Sequence, residues 1–152
     1  MVSGKEFMYA AYEQALIAEK SGEVPVGAVV VRGGEVIGRG FNRTLVNNDP
    51  TAHAEIIALR DAADRTGNHR LTDADIYVTI EPCTMCAGAL VHARIAKLYF
   101  AAQEPRGGAI VSTIHALDNE SLNHCVQYEE GLCADICTQL ISGFFRRKRA
   151  GE

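Results

Sequence analysis

The chain has 152 residues, 47% of them hydrophobic and 22% charged, with a formal net charge of −4. This is the composition of an ordinary globular protein, and the length suits one domain over residues 1–152 that buries roughly 70% of its extended-chain surface. The negative balance excludes a broadly basic nucleic-acid binder, so any nucleic acid must be held by a local patch. No apolar run approaches the ~20 residues of a membrane span, and the N-terminus lacks the apolar stretch of a signal peptide. The expected compartment is therefore the cytoplasm, with no membrane partner. Five cysteines are an odd number, and two of them form Cys83-x-x-Cys86. In a reducing compartment that spacing favours metal or redox chemistry over a disulfide framework.

In chain order, Ser3-Gly4-Lys5-Glu6 has the Ser-x-x-Glu pattern of a capping box. Phe7, Ala11, Ala15 and Ala18 follow at helical spacing, which predicts an amphipathic helix over residues 4–20, ended by Ser21-Gly22. Val24 to Val31 reads as an apolar β-branched strand, Arg32 to Glu35 as a turn, and Val36 to Phe41 as the partner strand of a hairpin. A polar loop runs from Asn42 to Pro50. A second helix is expected from Thr51 to Arg65, a short buried strand from Asp75 to Ile80, and a third helix from Pro82 to Ala93, with proline in its first turn. Ile95 to Ala102 reads as a strand, and Glu104 to Gly108 as a loop. Residues 109–130 carry no clear period. Leu132 to Arg149 reads as a terminal helix with Ile136, Leu140, Ile141 and Phe144 on its apolar side. A strand–helix–strand passage over 75–102 favours a parallel pair, so the fold class is α/β, with helices on both faces of a mixed sheet.

The chemistry lies in a split motif. His53-Ala54-Glu55 and Pro82-Cys83-Thr84-Met85-Cys86 are separated by 29 residues between His53 and Cys83. Each part falls near an expected helix start, where unpaired N–H groups stabilise thiolates. Packed side by side, the two helices bring an imidazole and two thiols to one ion, with the Glu55 carboxylate beside them and not bound. That set leaves a coordination position open for water and supplies a general acid/base. Two thiolates and an imidazole favour zinc over other divalent ions, and no organic cofactor is implied. A redox pair and a structural zinc half-site are the alternatives for Cys83-x-x-Cys86. A redox pair has no use for His-Ala-Glu, and a structural site wants a fourth protein ligand that is not evident. Cys125, Cys133 and Cys137 read as buried small hydrophobes, and His69, His92, His115 and His124 as surface or hydrogen-bonded histidines.

His-Ala-Glu with Pro-Cys-x-x-Cys is similar to the zinc-dependent nucleobase deaminase signature. More of the chain, including Glu23 to Ala28, Asn42, Asp49 to Glu55, Glu81 to Leu90, Leu122-Asn123-His124 and Phe144-Phe145-Arg146, resembles the bacterial tRNA-specific adenosine deaminases. The resemblance covers residues 6–149. It implies a cytidine-deaminase-like three-layer α/β/α sandwich with a five-stranded sheet, one zinc ion per subunit, and a homodimer. The implied activity is hydrolytic deamination of adenosine to inosine at the wobble position of a tRNA anticodon. By the same resemblance His53, Cys83 and Cys86 hold zinc, and Glu55 moves protons. Asn42 and the Ala54 backbone bind the base, while Pro25, Val26 and Ile80 wall its pocket. Glu104, Arg106 and the tail Phe145, Arg146, Arg147, Lys148 and Arg149 are then the expected contacts to the anticodon stem-loop. Two positions depart from the family pattern: Glu104 stands where these enzymes usually carry Asp, and Cys125 where they often carry a polar residue. Two rival readings are a deaminase of a free nucleobase or nucleoside, and an inactive zinc-stabilised dimer subunit. The second is opposed by the presence of Glu55.

Overall fold

A computed structural model describes residues 4–151. The capping box expected at Ser3 lies outside the described residues. The elements are α1 (Gly4–Lys20), β1 (Gly27–Arg32), β2 (Glu35–Phe41), α2 (Ala54–Thr66), β3 (Asp75–Ile80), α3 (Thr84–His92), β4 (Lys97–Ala102), β5 (Gln127–Glu130) and α4 (Ala134–Arg149), with a short 3-10 turn at Ala116–Asp118. The sheet order is β2-β1-β3-β4-β5. β1 pairs antiparallel with β2 and β3, whereas β3–β4 and β4–β5 are parallel.

Strand alternation divides the core into two layers. Ala28, Val30, Ile76, Val78, Leu98 and Phe100 face α2 and α3, meeting Ala58, Leu59, Leu90 and Val91. Val29, Val31, Tyr77 and Ala101 face the other way and meet Phe7, Met8 and Ala11 of α1 and Cys137 of α4. The mixed α/β/α sandwich is thus present, including the fifth strand. That strand had no period to reveal it, because Gln127, Glu129 and Glu130 are exposed and Tyr128 is only partly buried. It is a short polar edge strand, a form that resists further pairing.

Most element starts lie within one to three residues of expectation, and three of the shifts have a clear local reason. β1 begins at Gly27 and not Val24, because the Val26 N–H donates to the Val24 carbonyl in a three-residue turn and Pro25 has no N–H to offer a ladder. α2 begins at Ala54 and not Thr51: the Thr51 N–H donates to the Asp49 side chain and the His53 N–H to the Thr51 carbonyl. α3 begins at Thr84, since the Pro82 carbonyl accepts the Ala109 N–H and Cys83 is the N-cap. Cys125 is also exposed, contrary to its reading as a buried hydrophobe. It precedes the buried Val126 on the approach to the edge strand. Among the described residues no helix is long and apolar enough to cross a membrane.

Candidate active site

Two helix N-termini meet at the site. His53 and Cys83 occupy the N-cap positions of α2 and α3 in extended backbone, and neither side chain makes the usual N-cap hydrogen bond. Residues that cap poorly stand where caps are normally Ser, Thr, Asp or Asn, which leaves the imidazole and the thiol free to face each other. α2 can sit this close to the sheet because Gly40 of β2 lacks a side chain. A Cβ there would overlap the Ala54 carbonyl and the Ala58 nitrogen.

His53 Nδ1 lies 3.6 Å from the Sγ atoms of both Cys83 and Cys86. The three ligand atoms all lie within 4.8 Å of one another. A tetrahedral zinc with its usual Zn–S and Zn–N lengths places an imidazole nitrogen roughly 3.6 Å from a thiolate sulfur, so the donors fit the ion in spacing as well as in kind. The cysteines are polarised already. Cys86 donates its S–H to Cys83, which, against the effect of burial and with help from His53, pulls the Cys83 thiol down to about 3. Cys86 is raised by the same bond, by burial and by the Glu55 carboxylate. The His53 imidazole is raised, first by its bond to Cys83. Glu55, only 3% exposed on the first turn of α2, is raised chiefly by burial. Its carboxyl is in reach of Cys86. A buried carboxyl shifted upward beside a metal-ligand set is suited to take up and release a proton during the reaction.

A cavity of about 680 Å³ opens from this point. Val26, Asn42, Ala54, Ile80, Glu104 and Phe145 line it, as do His53, Glu55 and Cys83. Pro25, expected on the wall, is buried outside the lining, while its neighbours Val24 and Val26 face the cavity. Asn42 is 8% exposed, and its buried Oδ1 has no hydrogen-bond partner. An unpaired buried acceptor costs about 1–3 kcal/mol, and its place on the cavity wall marks it for a ligand donor. Asn42→Ala is expected to lower kcat/KM by about tenfold to a hundredfold, the equivalent of one lost hydrogen bond to substrate. Steady-state kinetics would show it, and an unchanged kcat/KM would remove Asn42 from base recognition.

Sequence reasoning anticipated Phe145 of α4 at the site but not the rest of that helix as a cavity wall. Thr138, Ile141, Ser142 and Phe145 of α4 line the cavity. They recur at i, i+3, i+4 and i+7, so the signal was a second helical stripe beside the apolar one. It also missed two buried carboxylates that shape the loops. Glu81 is 3% exposed and accepts the backbone N–H groups of Glu104, Ile110, Val111 and Ser112, together with the Ser112 hydroxyl. Burial raises its carboxyl, but these donors together outweigh it and leave the group lowered. Gly108 must be glycine here, since any Cβ would run into the Glu81 carboxyl. Glu23 is fully buried and accepts from Leu45 N at 3.2 Å, Val46 N at 2.7 Å and the Thr44 hydroxyl at 3.4 Å.

The expected RNA contacts divide. Phe145 is 44% exposed at the cavity edge, and Arg106, Arg146, Lys148 and Arg149 are exposed. Glu104 turns its carboxylate back onto the N–H groups of Arg106 and Gly107, so the side chain expected on RNA closes its own loop. Arg147 Nη2 donates to Glu19 Oε2 at 2.6 Å, so its charge is already paired within the protein.

A mixed sheet of this order, with a His/Cys/Cys group at two adjacent helix N-termini, defines the class as a nucleobase-deaminase fold. The family model of the MafB19-like deaminases matches residues 2–149. The chain belongs to this family and, within it, to the tRNA-specific adenosine deaminases. It is 47% identical over 146 residues to the tRNA-specific adenosine deaminase of Haemophilus influenzae, covering 95% of this chain and 84% of that relative. It is 44% identical over 152 residues to that of Agrobacterium fabrum, covering 100% of both. A solved structure from studies of A-to-I editing by tRNA:A34 deaminases at the wobble position of transfer RNA superposes with a TM-score of 0.86 at 44% identity. That match covers 89% of this chain and 98% of the other.

Proposed function

We propose that this protein hydrolyses adenosine to inosine at the wobble position of a tRNA anticodon, with zinc held by His53, Cys83 and Cys86. The observation that carries the reading is the floor of the cavity, where three donors at zinc spacing adjoin a buried Glu55 and an unpaired Asn42 acceptor. A zinc ion there would supply Lewis-acid activation of water. Glu55 accepts the proton of the attacking water and delivers it to N1 of the purine. The water oxygen bonds to C6. Glu55 then passes the remaining hydroxyl proton to the amine, the C6–N6 bond breaks, and ammonia leaves. Asn42 and the Ala54 backbone hold the base, with Val26 and Ile80 against its faces.

The cavity of about 680 Å³ has room for a flipped nucleotide, and the exposed Phe145 and the basic end of α4 lie at its edge, where flanking RNA would run. An anticodon loop can splay its bases, so the target amine is reachable without unwinding a duplex. Phe145, Arg106, Arg146, Lys148 and Arg149 would meet the flanking nucleotides and phosphates. The same reading makes the protein a cytoplasmic homodimer. Met85 beside Cys86, with Leu45 and Val46 beside Thr44, are exposed apolar residues around the site that a second subunit would cover.

The test is a substrate panel. Purified protein is incubated with an anticodon stem-loop carrying a wobble adenosine, and separately with free adenine, guanine and cytosine, and ammonia is measured. Release from the stem-loop alone supports the reading, and release from a free base alone overturns it.

A further inference from the structure

We infer that the Arg147–Glu19 ion pair sets the position of α4 as a wall of the substrate cavity, which makes Arg147 and Glu19 positioning residues. This rests on the RNA-deaminase reading above. α4 gives Thr138, Ile141, Ser142 and Phe145 to the cavity, yet of its sixteen residues it buries only Cys137, Gly143 and Phe144. So thin a buried face leaves the C-terminal half of the helix with one large anchor, Phe144. Beyond that anchor the tie is electrostatic: Arg147 Nη2 to Glu19 Oε2 at 2.6 Å, with side chains 49% and 29% exposed.

The local sequence is arranged for this pair. Gly143 lies one turn before Arg147, and a Cβ there would meet Arg147 Nη1 at 3.3 Å, closer than ordinary contact. Bare backbone at residue 143 therefore lets the guanidinium fold back over the helix towards α1. Glu19 is the last but one residue of α1. Its helix ends at Ser21-Gly22 and leads into Glu23, whose carboxylate holds the Thr44–Val46 loop. Val24, Val26 and Thr44 also line the cavity. The ion pair thus joins the two chain segments, far apart in sequence, that both border the substrate space.

The pair separates Arg147 from the other basic residues of the tail. Lys148 lies 5.5 Å over the Phe144 ring. Arg146 and Arg149 hold neither an ion pair nor a ring contact among the described residues, and they remain available to phosphate. An exposed ion pair contributes little to global stability, so releasing it loosens the wall without unfolding the protein. Glu55 and the zinc ligands sit on α2 and α3, away from this tie, so the chemical step is unaffected.

The experiment compares wild type, Glu19→Gln, Arg147→Gln and the reversed pair Glu19→Arg with Arg147→Glu on the anticodon stem-loop. Each single variant is expected to raise KM about fivefold with kcat within about twofold of wild type, and the reversed pair to bring KM back to within about twofold. Amide hydrogen exchange over residues 138–145, measured without RNA, is expected to quicken in both single variants and to slow again in the reversed pair. If Arg147 instead contacts RNA, Glu19→Gln frees it and KM falls or stays level, which overturns the inference. Unchanged exchange along α4 also overturns it. A wild-type protein that leaves the stem-loop untouched while exchange behaves as expected refutes the functional reading and keeps the tie.

Discussion

Glu55→Gln is expected to lower turnover by about 10²–10⁴-fold while leaving the zinc content at one ion per chain. The substitution keeps the shape of a side chain only 3% exposed, and it removes the group that takes and returns protons. Glutamine neither ligates well nor carries a transferable proton near neutrality, so substrate affinity should change little and the loss should fall on kcat. The contrast is Cys86→Ser, which removes one of the two thiolates and is expected to lose zinc and activity together. Metal analysis alongside single-turnover kinetics separates the two variants. A Glu55→Gln protein that stays active, or one that loses its metal, contradicts the division of labour between the carboxylate and the ligands.

Glu81→Ala is expected to cost about 3–5 kcal/mol of stability, because four backbone N–H groups and one hydroxyl lose their acceptor together. Each donor left unsatisfied in the interior costs about 1–3 kcal/mol, and water entering the gap recovers part of the sum. Glu81→Gln should cost less. Its carbonyl can still serve the N–H groups of Ile110, Val111 and Ser112, but its amide turns a donor towards Glu104 N–H. Urea unfolding measures both. Activity should fall with stability in the alanine variant, since Glu81 ties down the loop that carries Glu104 and Gly107 to the cavity. An alanine variant as stable as wild type would mean that the loop does not depend on the carboxylate.

The convergence of His53 with Cys83 and Cys86 was legible in the sequence because each lies at a helix start and the ligand chemistry is distinctive. The helices and the four apolar strands were legible from helical spacing, short apolar runs and the proline and glycine residues between them. What the sequence left dark has a common cause: it depends on where polar groups point. Glu81 and Glu23 look like any acidic residue near a proline, and only the fold shows that each is buried under a fan of N–H donors. β5 hides because an edge strand with exposed Gln127, Glu129 and Glu130 has no apolar alternation. Arg147 resembled the rest of the basic tail, since its partner Glu19 lies 128 residues away. Glu104 resembled a surface carboxylate, although it bonds to the backbone of its own loop. The boundaries at Gly27 and Ala54 moved because three-residue turns involving Val24–Val26 and Thr51–His53 took N–H groups that a strand or helix would otherwise have used.

The most direct measurement is nucleoside mass analysis of an anticodon stem-loop after reaction in ¹⁸O-enriched water. The expected product is inosine at the wobble position alone, carrying the heavy oxygen at C6, with an equal amount of ammonia. Unchanged wobble adenosine, or inosine without the heavy oxygen, would contradict hydrolytic deamination of tRNA by this site.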